Sequence, residues 1–355
     1  MPLGRFAKLP TELRLQILEE FVDEWNHETL KKLRLVDESP EVDSIVFKNI
    51  VFIPALTTTK ITFVASWRSF LEKSGPCVKS ITFIRDKKST TGDVSLEQWV
   101  CAIRAATHLP YLNEIIVRPN VPSNLQVQDV LDSDRFPADM WPLAAAATPQ
   151  AVLPAVRTLN LDAYQHSIAL WADLCPNITC LDFTLSSRVD NQTLETQMSK
   201  WRAIETLRCR VSDGYKRGTV EALLSALARA GSPLRCVGFY HNADPPVPAA
   251  TWASQLGPFR ATLKEVVIPQ PDEWANVIVL AVLSDLLAPP TVPGPPDLQE
   301  VRKYRYDVIN ALCDAVPSLV KIEFENFICH NDEYLVATKK WQRMGSVIPV
   351  VGPTF

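Results

Sequence analysis

At 355 residues, with 47% apolar and 21% charged side chains, the sequence has the composition of a folded globular protein. It leaves room for one large repeat array with a small appendage, or for two domains. A formal net charge of −4 with no basic block argues against a nucleic-acid backbone as the main ligand, and 11 glycines against 28 prolines leave little material for phosphate-cradling loops.

The N-terminal stretch has no long apolar core, so no signal peptide is expected. The most apolar run, 274–288, is 15 residues long and contains Asp285. It is too short and too charged to span a bilayer and reads as a buried helix, with no membrane contact expected. The eight cysteines (Cys77, Cys101, Cys175, Cys180, Cys209, Cys236, Cys313, Cys329) form no CxxC pair, and several fall inside apolar patterns. They read as reduced, buried thiols of a cytoplasmic or nuclear protein.

In chain order, residues 8–36 are expected to form two helices. Leu13, Ile17, Leu18 and Phe21 make one apolar stripe, with Thr11 as N-cap and Glu12 in the first turn, where the helix dipole favours a carboxylate. After a polar break at 23–27, a second helix begins near Glu28 and carries Leu30, Leu33, Leu35 and Val36.

A repeating pattern follows. Strands are expected at 49–54, 79–84 and 113–117, with helices at 63–73 and 95–106 between them. A polar segment, 118–142, is too long for a simple connector and reads as loops with one short helix after it. Leu153–Leu185 then states one pattern twice: Val156, Leu159 and Leu161 at spacings of three and two, and Ile178, Leu181 and Phe183 at the same spacings, 22 residues on. Pro154 and Pro176 precede the two sets, and a helical segment lies between them. A short strand, a helical return and the same strand again make the unit of an α/β solenoid, which must stack on neighbours to bury its apolar face. Further strands are expected at 205–211, 234–240, 263–268 and 319–325, and helices at 219–231, 273–287 and 297–316. A proline-rich loop, 288–296, is read as an insertion, and a last helix, 332–344, as a cap.

The strand anchors are Ile81, Ile115, Leu159, Leu181, Leu207, Val237, Val266 and Ile322, with gaps of 34, 44, 22, 26, 30, 29 and 56 residues. The four adjacent gaps of 22–30 match the longer, helix-bearing leucine-rich repeats, and the uneven remainder implies a degenerate array with insertions.

Near the N-terminus, Leu9-Pro10-x-Glu12-Leu13-x-x-x-Ile17-Leu18, then Leu33-Arg34-Leu35-Val36 and Ile45-Val46-Phe47, resembles an F-box leading into a first repeat strand. The chain departs from that family after Val36, where 37–43 is acidic and interrupted by Pro40. The resemblance implies a helical module over 1–48 and an irregular leucine-rich-repeat solenoid over 49–355. It also implies docking on the Skp-type adaptor of a cullin ubiquitin ligase through Leu9, Pro10, Leu13, Ile17, Leu18, Leu33 and Val36, while the repeats bind a protein substrate. The alternative is a protein-interaction scaffold in which these helices only cap the solenoid's end.

For catalysis the sequence offers no GxSxG, HExxH, GxxxxGK[ST] or GxGxxG, and its five histidines are scattered. Cys329-His330-Asn331-Asp332 has the letters of a thiol site, but adjacent residues rarely face one another productively, and it reads as structural. A non-catalytic protein with no metal and no cofactor is expected. In a solenoid the sheet face carries function: anchors point inward and the residues between them outward. The outward set is Ser80, Thr82, Glu114, Arg118, Thr158, Asn160, Asp162, Asp182, Thr184, Thr206, Arg208, Arg210, Gly238, Tyr240, Lys321, Glu323 and Glu325. Of these, Asn160, Asp162, Asp182, Arg208, Arg210 and Tyr240 are the expected partner-binding residues, an arginine pair beside a tyrosine having hot-spot composition.

Overall fold

The computed structural model describes residues 10, 47–52, 70, 73–84, 96–118, 125, 127–131, 153–161, 168–185, 191–211, 217–240, 246–269, 297–330 and 333–342. These fall into two compact units, one running to Ala163 and including Ala169–Pro176, the other made chiefly of Asn177 onwards. The helical module expected over 1–48 lies outside the described residues except for Pro10, Phe47 and Lys48.

In the first unit, strands β1 (Asn49–Phe52), β2 (Ser80–Phe83), β3 (Glu114–Val117) and β4 (Thr158–Leu161) pair in chain order, all parallel. Helices α1 (Leu96–Thr107), α2 (Val127–Leu131) and α3 (Ile168–Leu174) lie between or after them. In the second unit, β5 (Cys180–Leu185), β6 (Thr206–Val211), β7 (Cys236–Tyr240), β8 (Glu265–Pro269) and β9 (Lys321–His330) are parallel and again in chain order. The helices here are α4 (Asn191–Met198), α5 (Arg217–Ala230), α6 (Ala249–Leu256) and α7 (Asp297–Ala315).

The registers align the anchors read from the sequence. Ile50, Ile81, Ile115 and Leu159 stand side by side, as do Leu181, Leu207, Val237, Val266 and Ile322. Each anchor from Ile81 onwards is the middle of an apolar triad at spacings of three and two, so the pattern stated twice in Leu153–Leu185 recurs in all eight of these repeats. The triads begin at Val78, Leu112, Val156, Ile178, Ile204, Leu234, Leu263 and Leu319, and their members are at most 1% exposed except Leu161 at 7%. At about 1.5–3 kcal/mol per buried aliphatic side chain, these triads are the principal driving force for stacking one repeat on the next.

The backbone repeats with the side chains. The carbonyl of the residue two before an anchor accepts two successive N–H groups from the next strand. Lys48 O takes Lys79 and Ser80, Lys79 O takes Asn113 and Glu114, and Asn113 O takes Arg157 and Thr158. In the second unit Thr179, Glu205, Arg235 and Lys264 do the same for the strands that follow them. Backbone donors at the start of each strand are thereby satisfied without a longer ladder. Five of the eight repeats place a proline five residues before the anchor (Pro76, Pro110, Pro154, Pro176, Pro317), which accounts for part of the high proline content.

Helices pack their apolar stripes behind the sheets. In α5, Val220, Leu223, Leu224 and Leu227 are buried at the spacing of one helical face. That helix ends in a Schellman turn: Gly231 has φ 72°, its N–H bonds to Ala228 O, and Ser232 N–H bonds to Leu227 O. Ser232 Oγ then donates to Trp201 O at 2.8 Å, tying the turn to the preceding repeat. Large aromatics fill the space between layers, with Phe83 against Trp99 and Phe239 against Trp252 at 5.9 and 5.5 Å between centroids.

Five elements differ from expectation. Helices α4 and α6 occupy segments where no helix is expected, and a short helix, α2, falls inside the polar segment rather than after it. The expected last helix, 332–344, is a strand: β10 (Glu333–Gln342) pairs antiparallel with β9, His330 opposite Glu333. β9 itself runs five residues past the expected end. Tyr, Val, Thr and Trp dominate 334–341, residues that favour a pleated surface, and pairing with a long β9 outweighs the weak helical spacing. The helix expected at 273–287 and the proline-rich loop 288–296 lie outside the described residues.

Candidate functional site

The outward face of the second unit's sheet carries the candidate site, because register places its side chains in rows across the strands. One row is Asp182, Arg208, Gly238, Val267 and Glu323. A second is Cys180, Thr206, Cys236, Glu265 and Lys321, and a third begins Thr184, Arg210, Tyr240. Neighbouring positions within a row are about 4.8 Å apart, the strand spacing.

Charge pairing is diagonal as well as lateral. Arg210 Nη2 donates to Asp182 Oδ2 at 3.3 Å, reaching across to β5 and one row back. Asp182 is 7% exposed despite its place on the outward face, whereas Arg210 is half-exposed. On the opposite side, Lys321 Nζ lies 3.0 Å from Glu323 Oε1 and 3.4 Å from Glu265 Oε2. Partial burial alone would lower the Lys321 ammonium, but Glu323 by hydrogen bond and charge, with Glu265, outweighs it and holds the group above its usual value. Arg208 stands between the two clusters, directly opposite both Asp182 and Gly238. It is exposed, and among the described residues it makes no hydrogen bond or ion pair.

Gly238 has a specific reason to be glycine. A Cβ there would come within 2.8 Å of Tyr240 Cε2 and Oη and 2.9 Å of Cζ. The tyrosine side chain therefore folds back along β7 and brings the hydroxyl end of its ring over the backbone at Gly238, beside Arg208 in register. The result is an aromatic side chain between the Asp182–Arg210 pair and the Lys321 cluster.

Three described thiols, Cys175, Cys209 and Cys236, are held in the protonated, unreactive direction. Burial pushes the Cys175 and Cys209 thiols well above their ordinary range, with Asp182 adding to the effect at Cys209 and Arg210 opposing it. Cys236 is also raised, by burial first and then by Glu265, against the lowering influence of Arg208 and Lys321. Among the described residues no three His, Cys, Asp or Glu side chains are placed to hold a metal ion, and no helix is long and apolar enough to cross a membrane.

Of the expected partner-binding residues, Asp182, Arg208, Arg210 and Tyr240 are brought together on this one face. Asn160 belongs to the first unit, where its Oδ1 is buried and accepts no hydrogen bond among the described residues. Asp162 lies outside the described residues, as do Leu9, Leu13, Ile17, Leu18, Leu33 and Val36; Pro10 is exposed. The side chains of Cys329 and His330 are not among those described. Sequence reasoning placed Lys321 and Glu323 on this face but did not anticipate their pairing with each other and with Glu265, the Asp182–Arg210 diagonal or the fold of Tyr240 over Gly238. The last was signalled by a glycine and a tyrosine two apart in a strand, which places them on the same side.

No family model matches the sequence, and no curated protein matches it. Among solved structures, the leucine-rich-repeat-containing protein LegL7 from Legionella pneumophila is similar at 11% identity and a TM-score of 0.37, over 82% of this chain and 89% of that one.

Proposed function

We propose that the chain is a non-catalytic protein-interaction scaffold of the leucine-rich-repeat type, binding a partner on the outward sheet face of its second unit. The observation that carries this reading is the division of labour in each repeat: an invariant buried triad faces the helices, while the intervening positions vary between charge, aromatic and small residues. Variable outward positions on a rigid, repeated frame give a surface whose specificity changes without disturbing the core. A photo-crosslinking side chain at Thr206, on that face, is expected to give a partner adduct in cell extract. The same group at Glu221, exposed on α5, is expected to give none; adducts from Glu221 alone would refute the reading.

A finer role is also proposed, supported by Leu9-Pro10-x-Glu12-Leu13 and Ile17-Leu18: the N-terminal segment docks a Skp-type adaptor and the scaffold presents a substrate to a cullin ubiquitin ligase. The chain would then act by proximity, raising the effective concentration of substrate lysines near the conjugating enzyme. Pull-down with a Skp-type adaptor, comparing wild type with Leu9→Ala/Pro10→Ala and with Ile17→Asp, tests this. Failure of wild type to bind at micromolar concentration removes the ligase role and leaves the scaffold.

A further inference from the structure

Among the described side chains, the charged ones on the outward face of β5–β9 are matched with one another, with one exception. Asp182 is engaged by Arg210, and Glu265 and Glu323 by Lys321. Arg208 is the exception: it is exposed, it makes no hydrogen bond or ion pair among the described residues, and its lateral neighbour Asp182 is already taken on the diagonal. A guanidinium fits a carboxylate in a planar, two-pronged geometry that few other groups offer. Beside it the hydroxyl end of the Tyr240 ring lies over Gly238, which puts an aromatic surface for an apolar or proline side chain next to that carboxylate.

From this we infer that the face binds an extended acidic segment of a partner protein, with one Asp or Glu side chain on Arg208 and an adjacent apolar residue on the Tyr240 ring. The inference rests on the scaffold reading above and adds the chemistry of the partner. It assigns different parts to the two arginines. Arg208 touches the ligand. Arg210 is a positioning residue: by holding Asp182 it keeps that carboxylate from neutralising Arg208. Gly238 positions the Tyr240 ring, since a methyl group there would displace it, its far end swinging away without moving backbone.

The test uses the full chain, immobilised, and three pools of nonapeptides with random flanks and a fixed central Glu, Gln or Lys. Wild type is expected to retain the Glu pool about tenfold better than the Gln pool, the factor a charge-assisted hydrogen bond supplies, and to lose the difference at high salt. Arg208→Ala should abolish the preference and Arg208→Lys keep part of it. Arg210→Ala should weaken it although that residue does not touch the peptide, and Asp182→Asn in the same chain should restore it, a rescue that simple loss of structure would not give. Gly238→Ala should lower retention without moving the thermal midpoint. Equal retention of Glu and Gln pools, retention of no pool, or an unchanged preference in Arg208→Ala overturns the inference. If adducts from Thr206 still form in that case, the scaffold reading stands without it; if they do not, both fail.

Discussion

Leu207→Ala and Arg208→Ala alter two adjacent residues that β6 sends to opposite sides of its sheet. Leu207 is fully buried, in register between Leu181 and Val237. Truncation removes about three carbons at about 0.8 kcal/mol each, and the cavity left in a well-packed layer brings the loss to about 3 kcal/mol. Arg208 is exposed and unpaired among the described residues, so its loss should change stability by no more than about 0.5 kcal/mol. With a urea dependence of about 3 kcal/mol per molar, the first variant should lower the unfolding midpoint by about 1 M and the second should leave it in place. Circular dichroism in a urea series reads both. Because side chains alternate along a strand, a one-residue slip would exchange the two results. A stable Leu207→Ala, or an Arg208→Ala destabilised as much, would refute the register and with it the assignment of the outward face.

Asp182→Ala leaves Arg210 without its partner and removes a buried carboxylate, which should cost about 2 kcal/mol, measured by the same unfolding series; a neutral result would show the pair contributes nothing. Burial, with the nearby charge of Arg104, lowers His108 to about 4 from its ordinary 6.5, so the native state stays neutral while the unfolded chain takes a proton. Stability should therefore fall as pH drops from 6.5 towards 4, by about 1–2 kcal/mol after allowing for partial exposure of the ring, and His108→Gln should flatten that slope. A slope unchanged in the variant would assign it to other groups. The raised thiols of Cys175 and Cys209 should resist a thiol-specific reagent at pH 8 in the native protein and react after denaturation, followed by peptide mass spectrometry; rapid native reaction would contradict their burial.

The repeat was legible in the sequence because its signal is local. Strand anchors and the helix stripes of α1, α5 and α7 are set by residues within a few positions of one another, and within each unit the registers align the anchors. What escaped was of two kinds. Short helices with little apolar content, such as α4 (NQTLETQM), are held by the layer they complete rather than by their own pattern. β10 owes its form to its partner strand, since 334–341 carries residues that suit a strand only once β9 is beside it. The site was legible as a composition and not as a geometry. Asp182, Arg208, Arg210 and Tyr240 follow from alternation along each strand. The pairing of Arg210 with Asp182, 28 residues apart, depends on which rotamer spans two strands and one row, and no spacing along the chain encodes that.

Binding of the partner captured through Thr206 to wild type and to Arg208→Ala/Arg210→Ala/Tyr240→Ala, at matched thermal stability, tests most directly whether the outward sheet face is the recognition surface. The expected result is an affinity at least about tenfold weaker in the variant, from the loss of an arginine–aromatic cluster at the centre of the face. Equal affinity in the two proteins would contradict it.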